Sequence, residues 1–382
     1  MNINTLKYPK IKTNLYPFIK DEETIRFGGV QKGLAREIKT ANIEIVWDII
    51  INLNGEKNLY EFIEYGRLKW NLNSNNILTI IQMLVDKGLI EEATPDLENI
   101  FSLEEIERYQ RNIYLYSWLD KSNRVNHWEL QLKLKNARIA VLGLGGVGSN
   151  CVSSLARLGI GYLRIVDFDK VEASNLNRQV LFSSSDIGSL KVDVAERKLK
   201  IINPEITIDP IDMRVTSVQD VQKVVQDVDL LLLCADEPKY LIDRIVNRAT
   251  QITKTPWIQG SYASTVVNYS LIIPGKTPCK ECANQIRLQD KLFEREFESF
   301  QNFGPRNAIT APIAALAGNL VAHEAMNYIT GLKSPLSPTF FQLDLFSMEK
   351  HNIDVAFYDR CSVCKDPMQE LNFEKEYSNS SN

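Results

Sequence analysis

The stretch VLGLGGVGSN, residues 141–150, places Gly143, Gly145 and Gly148 in a G-x-G-x-x-G turn between an apolar strand pattern and an apolar helix pattern. Glycines at this spacing let phosphates approach a helix N-terminus, and Asp167, at the end of the next strand pattern, is placed to hold ribose hydroxyls. Alone, the motif serves a redox dinucleotide and a nucleoside triphosphate equally well. The continuation DFDKVEASNLNRQVLFSSSDIGSLKVDVAE separates the two. A hydride-transfer enzyme has no general need of Asn175, Arg178, Gln179 and Lys191 clustered just beyond the ribose carboxylate. An enzyme that splits a triphosphate does. Arg178 and Lys191 can neutralise charge on the α-phosphate and on departing pyrophosphate, while Asn175 and Gln179 add hydrogen bonds. A solvated charged loop explains any one of these residues more readily than the set.

Four of the six cysteines form two C-x-x-C pairs, Cys279/Cys282 in PGKTPCKEC and Cys361/Cys364 in DRCSVCKD. Four thiolates in two such pairs suit a closed, structural zinc site with no position left for a reacting water. Cys151 and Cys234 lie in apolar surroundings and read as small core residues. No cysteine falls between Cys282 and Thr310, and none of His127, His323 and His351 has a catalytic spacing.

These residues need elements to position them. From residue 137 the chain alternates ARIAVLGLG, SNCVSSLARLGI, YLRIVDFD, KVDVAERKLKIIN, ITIDPIDM and VDLLLLCAD, strand with helix. That alternation predicts a Rossmann-like, mostly parallel α/β sheet with helices on both faces. The first hundred residues read as a separate unit. PFIKDEETIRFGG and GLAREIK are short strands joined at Gly28–Gly29, followed by three helical patterns and a short apolar strand, a small winged-helix pattern. SLEEIERYQRNIYLYSWL opens with a Ser-x-x-Glu capping box and predicts a helix. The expected division is therefore 1–97, a connecting helical segment 98–136, and 137–382. The tail EKEYSNSSN reads as disordered.

Bulk properties narrow the function classes. The chain has 382 residues, 44% hydrophobic and 24% charged, with a net charge of −4. That balance carries no basic footprint for nucleic acid. No apolar run spans a membrane, and the N-terminus lacks a secretory apolar region, so a cytoplasmic protein is expected.

The strings GxGGxGS and DxDxVxxSNLxRQ, then a Gly-x-x-Lys-Val helix start, resemble the ThiF/MoeB/HesA family, relatives of ubiquitin-activating enzymes. The resemblance runs from about Arg108 to Cys364. It implies ATP-dependent adenylation of a carboxylate. By motif position, Gly143, Gly145, Gly146, Gly148, Asp167, Asp169, Asn175 and Gln179 would bind the nucleotide, and Arg178 and Lys191 its reacting phosphates. Asp236 would take the place of the magnesium-associated aspartate. Arg111, in ERYQRN, would be the arginine that reaches the partner subunit's ATP in a homodimer. The family carries the same four-cysteine zinc site. Members that pass the acyl group to a thiol often keep a cysteine in the crossover region, here about 283–308. Its absence predicts direct capture of the acyl-adenylate without an enzyme thioester.

The domain in front resembles that of the microcin C-type and pantocin-type adenylating enzymes of peptide-antibiotic maturation. This implies a ribosomal precursor peptide held by the N-terminal domain, an open sheet edge near ETIRF being the candidate site. What captures the activated carboxylate stays open: a backbone or side-chain amide nitrogen, or a carbon nucleophile. Three alternatives stand beside this reading: activation of a Gly-Gly-ending sulfur-carrier protein, a non-catalytic peptide-presenting protein, and a NAD oxidoreductase.

Overall fold

The structure, a computed structural model, describes the chain except for residues 1–2, 4–5, 31–32, 94–96, 98, 123, 240, 288–307, 333–339 and 368–382. The expected tail and most of the expected crossover region, 288–307, lie outside the described residues. The chain divides into two compact units, Met1–Leu134 and Lys135–Asn382.

In the first unit β1 (Pro9–Ile11) leads into three strands, β2 (Phe18–Asp21), β3 (Thr24–Phe27) and β4 (Arg36–Lys39), paired antiparallel in that order. PFIKDEETIRFGG is thus two strands rather than one, because Asp21–Thr24 turns the chain. The Asp21 carboxylate accepts the Glu23 N–H at 3.1 Å, an Asx-type turn that the acidic run DEE encodes. ETIRF forms β3, the central strand, so the free edges are β2 and β4.

Helices α1 (Ile43–Asn52), α2 (Leu59–Trp70) and α3 (Ser74–Asp86) follow, then β5 (Ile90–Glu92), which pairs with β1. An Asn58/Glu61 capping box starts α2, and Asn73 caps α3. One apolar core, including Ile25, Phe27, Ile38, Ile49, Phe62 and Ile81, joins sheet and helices. The predicted Ser102/Glu105 capping box opens α4 (Leu103–Leu119). Lys12, fully buried, donates to the carbonyls of Asp120 and Ser122 at 3.2 Å, tying the N-terminal strand region to the end of α4.

Helix α5 (Trp128–Asn136) leads into the second unit, whose strands are β6 (Arg138–Leu142), β7 (Tyr162–Asp167), β8 (Thr207–Asp212), β9 (Leu230–Leu233), β10 (Trp257–Ala263), β11 (Val266–Ile272), β12 (Phe340–Asp344) and β13 (Glu349–Ile353). They form one sheet in the order β13-β12-β11-β10-β9-β6-β7-β8. The run from β10 to β8 is parallel, and β10 to β13 is antiparallel. The all-buried LLLL of β9 is what a strand covered on both faces requires. Among the described residues the unit also carries helices α6 (Gly146–Leu158), α7 (Lys191–Ile202), α8 (Val218–Val224), α9 (Ile242–Thr253), α10 (Lys280–Arg287), a long helix Ala311–Thr330 and a short helix Ser362–Lys365. The strand order reverses at β6, flanked by β7 and β9. Ligands of open α/β sheets bind at such a point, outside the strand C-termini. No helix among the described residues is long and apolar enough to cross a membrane.

Candidate active site

The glycine turn leaves β6 at this switch point. Gly143 has φ of +95°, and a Cβ on it would stand 2.7 Å from the backbone nitrogen of Ala235, just past β9. A Cβ on Gly148 would overlap the carbonyl oxygen of Gly143. These two glycines let the strand, the turn and α6 pack as closely as they do. Gly145 caps α6, and a Cβ there would meet nothing nearer than the Gln179 Nε2 at 4.0 Å, leaving a cradle before the helix N-terminus. A Cβ on Gly146 would lie 3.4 Å from Cγ and Cδ of Arg178, so the arginine stem runs against the turn.

Asp167 ends β7. Its two carboxylate oxygens accept the N–H groups of Leu144 at 2.6 Å and Asp169 at 2.8 Å. Burial pushes its carboxyl above the ordinary aspartate range, against Lys191 and those two donors, which pull it down. Each oxygen keeps a lone pair for a ribose hydroxyl. Asp169 has a different contact: its Oδ2 pairs with Lys191 Nζ at 2.7 Å, and its carbonyl accepts the Lys191 N–H at 2.9 Å. Lys191 opens α7 with its side chain almost wholly buried.

The loop 173–179 is a tight turn capped by Asn175, whose Oδ1 accepts the Glu172 N–H at 3.1 Å. Backbone N–H groups of Arg178 and Gln179 donate back to the Asn175 carbonyl. The Arg178 guanidinium donates to the Ser174 carbonyl and to Asn177 Oδ1. Three buried polar atoms here, Ser149 Oγ, Arg178 Nε and Gln179 Oε1, have no hydrogen-bond partner among the described residues. Buried polar groups are ordinarily satisfied, so this arrangement fits a polar ligand in contact with them. A triphosphate matches the donors Ser149 Oγ and Arg178 Nε and the neighbouring guanidinium, ammonium and helix N-terminus, while Gln179 Oε1, an acceptor, calls for a hydroxyl or N–H of the same ligand.

Asp236 stands exposed just beyond β9, next to Ala235 and hence beside the glycine turn. Hydrated magnesium needs only one or two carboxylates besides phosphate oxygens, which suits a lone aspartate at this place. The structure thus brings the glycines, Asp167, Asp169, Asn175, Arg178, Gln179, Lys191 and Asp236 to one end of the sheet in the second unit. Arg111 belongs to the first unit, exposed on α4. The expected site residues do not include Ser149, the serine that closes GxGGxGS, whose buried Oγ has no partner among the described residues.

The four cysteines also meet. Their sulfurs lie within 4.8 Å of one another, with separations of 3.9 Å for Cys279–Cys282, 3.6 Å for Cys279–Cys361 and 3.7 Å for Cys282–Cys364. Four sulfurs held about 2.3 Å from a tetrahedral zinc stand about 3.8 Å apart, so the cluster fits that ion. Hydrogen bonds from its neighbours push the Cys282 thiol down, and donation to them pushes Cys279 up. A bound cation would let all four ionise together.

Fold and site are those of an α/β protein suited to a nucleoside triphosphate, with a four-cysteine cluster. The sequence matches the ThiF family model over residues 109–363. It is 31% identical over 266 residues to the vegetative HesA protein of Trichormus variabilis, covering 68% of this chain and 89% of that one. To the molybdopterin-synthase adenylyltransferase of Salmonella typhimurium it is 29% identical over 266 residues, covering 68% and 97%. The fold is similar to a crystal structure of Escherichia coli MccB with AMPCPP and MccA, at a TM-score of 0.73 and 25% identity, covering 94% of this chain and 99% of that one. The chain belongs to the ThiF family. It is an ATP-dependent adenylating enzyme.

Proposed function

We propose that the chain adenylates a carboxylate of a ribosomally made precursor peptide during peptide-antibiotic maturation. One observation carries this reading. The likeness to MccB, solved with AMPCPP and MccA, extends over 94% of the chain, whereas the HesA and molybdopterin-synthase relatives cover 68%. A carrier-protein activator leaves the added N-terminal unit without a task.

In the reaction a carboxylate oxygen of the peptide attacks the α-phosphorus of ATP. The bond from that phosphorus to the bridging oxygen breaks, and pyrophosphate leaves with the electron pair. Asp167 holds the ribose, the α6 N-terminus and Gln179 orient the phosphates, and Arg178 and Lys191 offset the charge that develops on the leaving group. Asp236 would hold magnesium, which supplies further charge neutralisation, and the four cysteines would hold a structural zinc. The acyl-adenylate then passes directly to a nitrogen or carbon nucleophile, because the stretch 283–308 contains no cysteine to take it. The first unit acts as a winged-helix peptide clamp. Its free sheet edges, β2 and β4, offer main-chain hydrogen bonds to an extended peptide.

The alternative substrate is a Gly-Gly-ending sulfur-carrier protein, favoured by the likeness to the molybdopterin-synthase adenylyltransferase. One experiment separates the two. The full chain is incubated with ATP and short peptides encoded beside its gene, or with a small Gly-Gly-ending carrier, and the products are weighed. A peptide that gains AMP mass, loses water or loses carbon dioxide supports the proposal and identifies the capture step. In the same assay, proline in the edge that holds the peptide (Ile19→Pro in β2 or Glu37→Pro in β4) weakens peptide binding and spares ATP binding. Adenylation of the carrier alone, with no peptide bound, would reject it.

A further inference from the structure

Asn150 belongs to none of the groups assigned so far. It lies one turn into α6, with 9% of its surface exposed. Its Nδ2 donates to the Gly146 carbonyl at 2.8 Å and to the Arg178 carbonyl at 3.4 Å. Those two residues are the pair whose faces meet at the phosphate turn, where the Arg178 stem runs against Gly146. A Cβ built on Gly318 would stand 2.7 Å from the Asn150 Cβ, so the long helix Ala311–Thr330 backs the side chain closely. The hydrogen bonds of Arg178 to Asn175, Ser174 and Asn177 stay within the loop. The Asn150 amide reaches the loop from α6.

We propose that Asn150 is a positioning residue for Arg178. One amide nitrogen with two N–H donors staples the Arg178 loop to the first turn of α6. It thereby sets the distance between the guanidinium and the helix N-terminus, the two groups that share the phosphates of ATP. The residue type follows from this task. A primary amide is a short, neutral side chain able to donate twice from one atom; Asp donates nothing when ionised, and Ser donates once. The staple acts on a group that works as charge develops on the leaving pyrophosphate, so its loss falls on turnover more than on ATP affinity. The inference rests on the adenylation reading for its effect on rate, but not for the staple itself.

The test compares wild type with Asn150→Leu, and with the near-isosteric Asn150→Asp should the first fail to fold. In nucleotide-free protein, amide hydrogen exchange in the segment 175–182 is expected to speed up about 10-fold, with the four-cysteine region unchanged. In ATP–pyrophosphate exchange, kcat should fall about 10- to 100-fold while KM for ATP stays within about 3-fold. Combined with Arg178→Ala, the substitution should add less than about 2-fold to the loss from Arg178→Ala alone, because the staple has nothing left to position. Unchanged exchange of 175–182 in a folded variant overturns the proposal. So do losses that multiply in the double variant, since Asn150 would then act independently of Arg178. Should the wild-type protein catalyse no pyrophosphate exchange with either substrate class, the adenylation reading fails, and hydrogen exchange alone still decides whether the staple exists.

Discussion

At the scale of residues, the site is organised around pairs rather than isolated groups. Asp167 accepts from the turn on one side and from Asp169 on the other, and Asp169 holds Lys191 through an ion pair of 2.7 Å. One chain of contacts thus runs from the glycine turn to the ammonium group. Motif position assigned Asp169 to the nucleotide; its observed contact gives it a role in holding Lys191. On the proposed reading, Arg178→Ala and Lys191→Ala each remove a charge that offsets the departing pyrophosphate. ATP–pyrophosphate exchange should fall about 100- to 1000-fold in either variant. Near-normal exchange in both would show that neither cation serves the phosphates. Removing Lys191 also leaves Asp169 unpaired, but that carboxylate is half exposed, so the fold should tolerate the loss.

At the scale of elements, the cluster at Cys279, Cys282, Cys361 and Cys364 joins the start of α10 to the short helix Ser362–Lys365. The two pairs are 82 residues apart in the chain, and local hydrogen bonding cannot hold such distant segments together. A metal that clips them stabilises the second unit by closing a long loop. Metal analysis of freshly purified protein should find one zinc per chain. Cys361→Ser, costing about 3–5 kcal/mol, should lower the melting temperature by about 10 °C while leaving ATP affinity of the folded fraction largely intact. A metal-free preparation with an unchanged melting temperature would remove zinc from the account. The edges β2 and β4 belong to this scale too. β2 exposes all four of its residues, including Phe18 and Ile19, whereas β4 carries Arg36, Glu37 and Lys39. Charged side chains blunt an edge against non-specific pairing, so the two edges offer a peptide different chemistry.

At the scale of the whole molecule, Arg111 separates a self-contained active site from a shared one. It is exposed on α4 in the first unit, and the residues proposed to bind the nucleotide belong to the second. If it completes the partner's site in a homodimer, inactive Arg111→Ala and inactive Lys191→Ala proteins should complement each other on mixing. Random exchange makes half the dimers hybrid, each with one intact site, so about a quarter of wild-type activity should return. Hybrid dimers that form, yet remain inactive, would place Arg111 outside the site.

The sequence by itself determined whatever depends on neighbours along the chain. The strand and helix periods, the Ser102/Glu105 cap, the glycine turn and the loop from Asp167 to Lys191 are all local, and the structure reproduces them. The cluster of triphosphate-binding residue types was legible for the same reason, because these residues fall within 25 positions of one another, Asp167 to Lys191. Only the tertiary structure decided what depends on which strands lie side by side. Placing β9 next to β6 brings Ala235 against Gly143 and Asp236 to the mouth of the site. Pairing β3 on both sides takes ETIRF out of the running as a free edge, a fact no alternation of apolar residues encodes. The meeting of the two cysteine pairs, and the reach of Asn150 to the carbonyl of Arg178 across 28 residues, belong to this second class. The physical reason is common to all of them: a period fixes which face of an element is buried, but not which partner buries it.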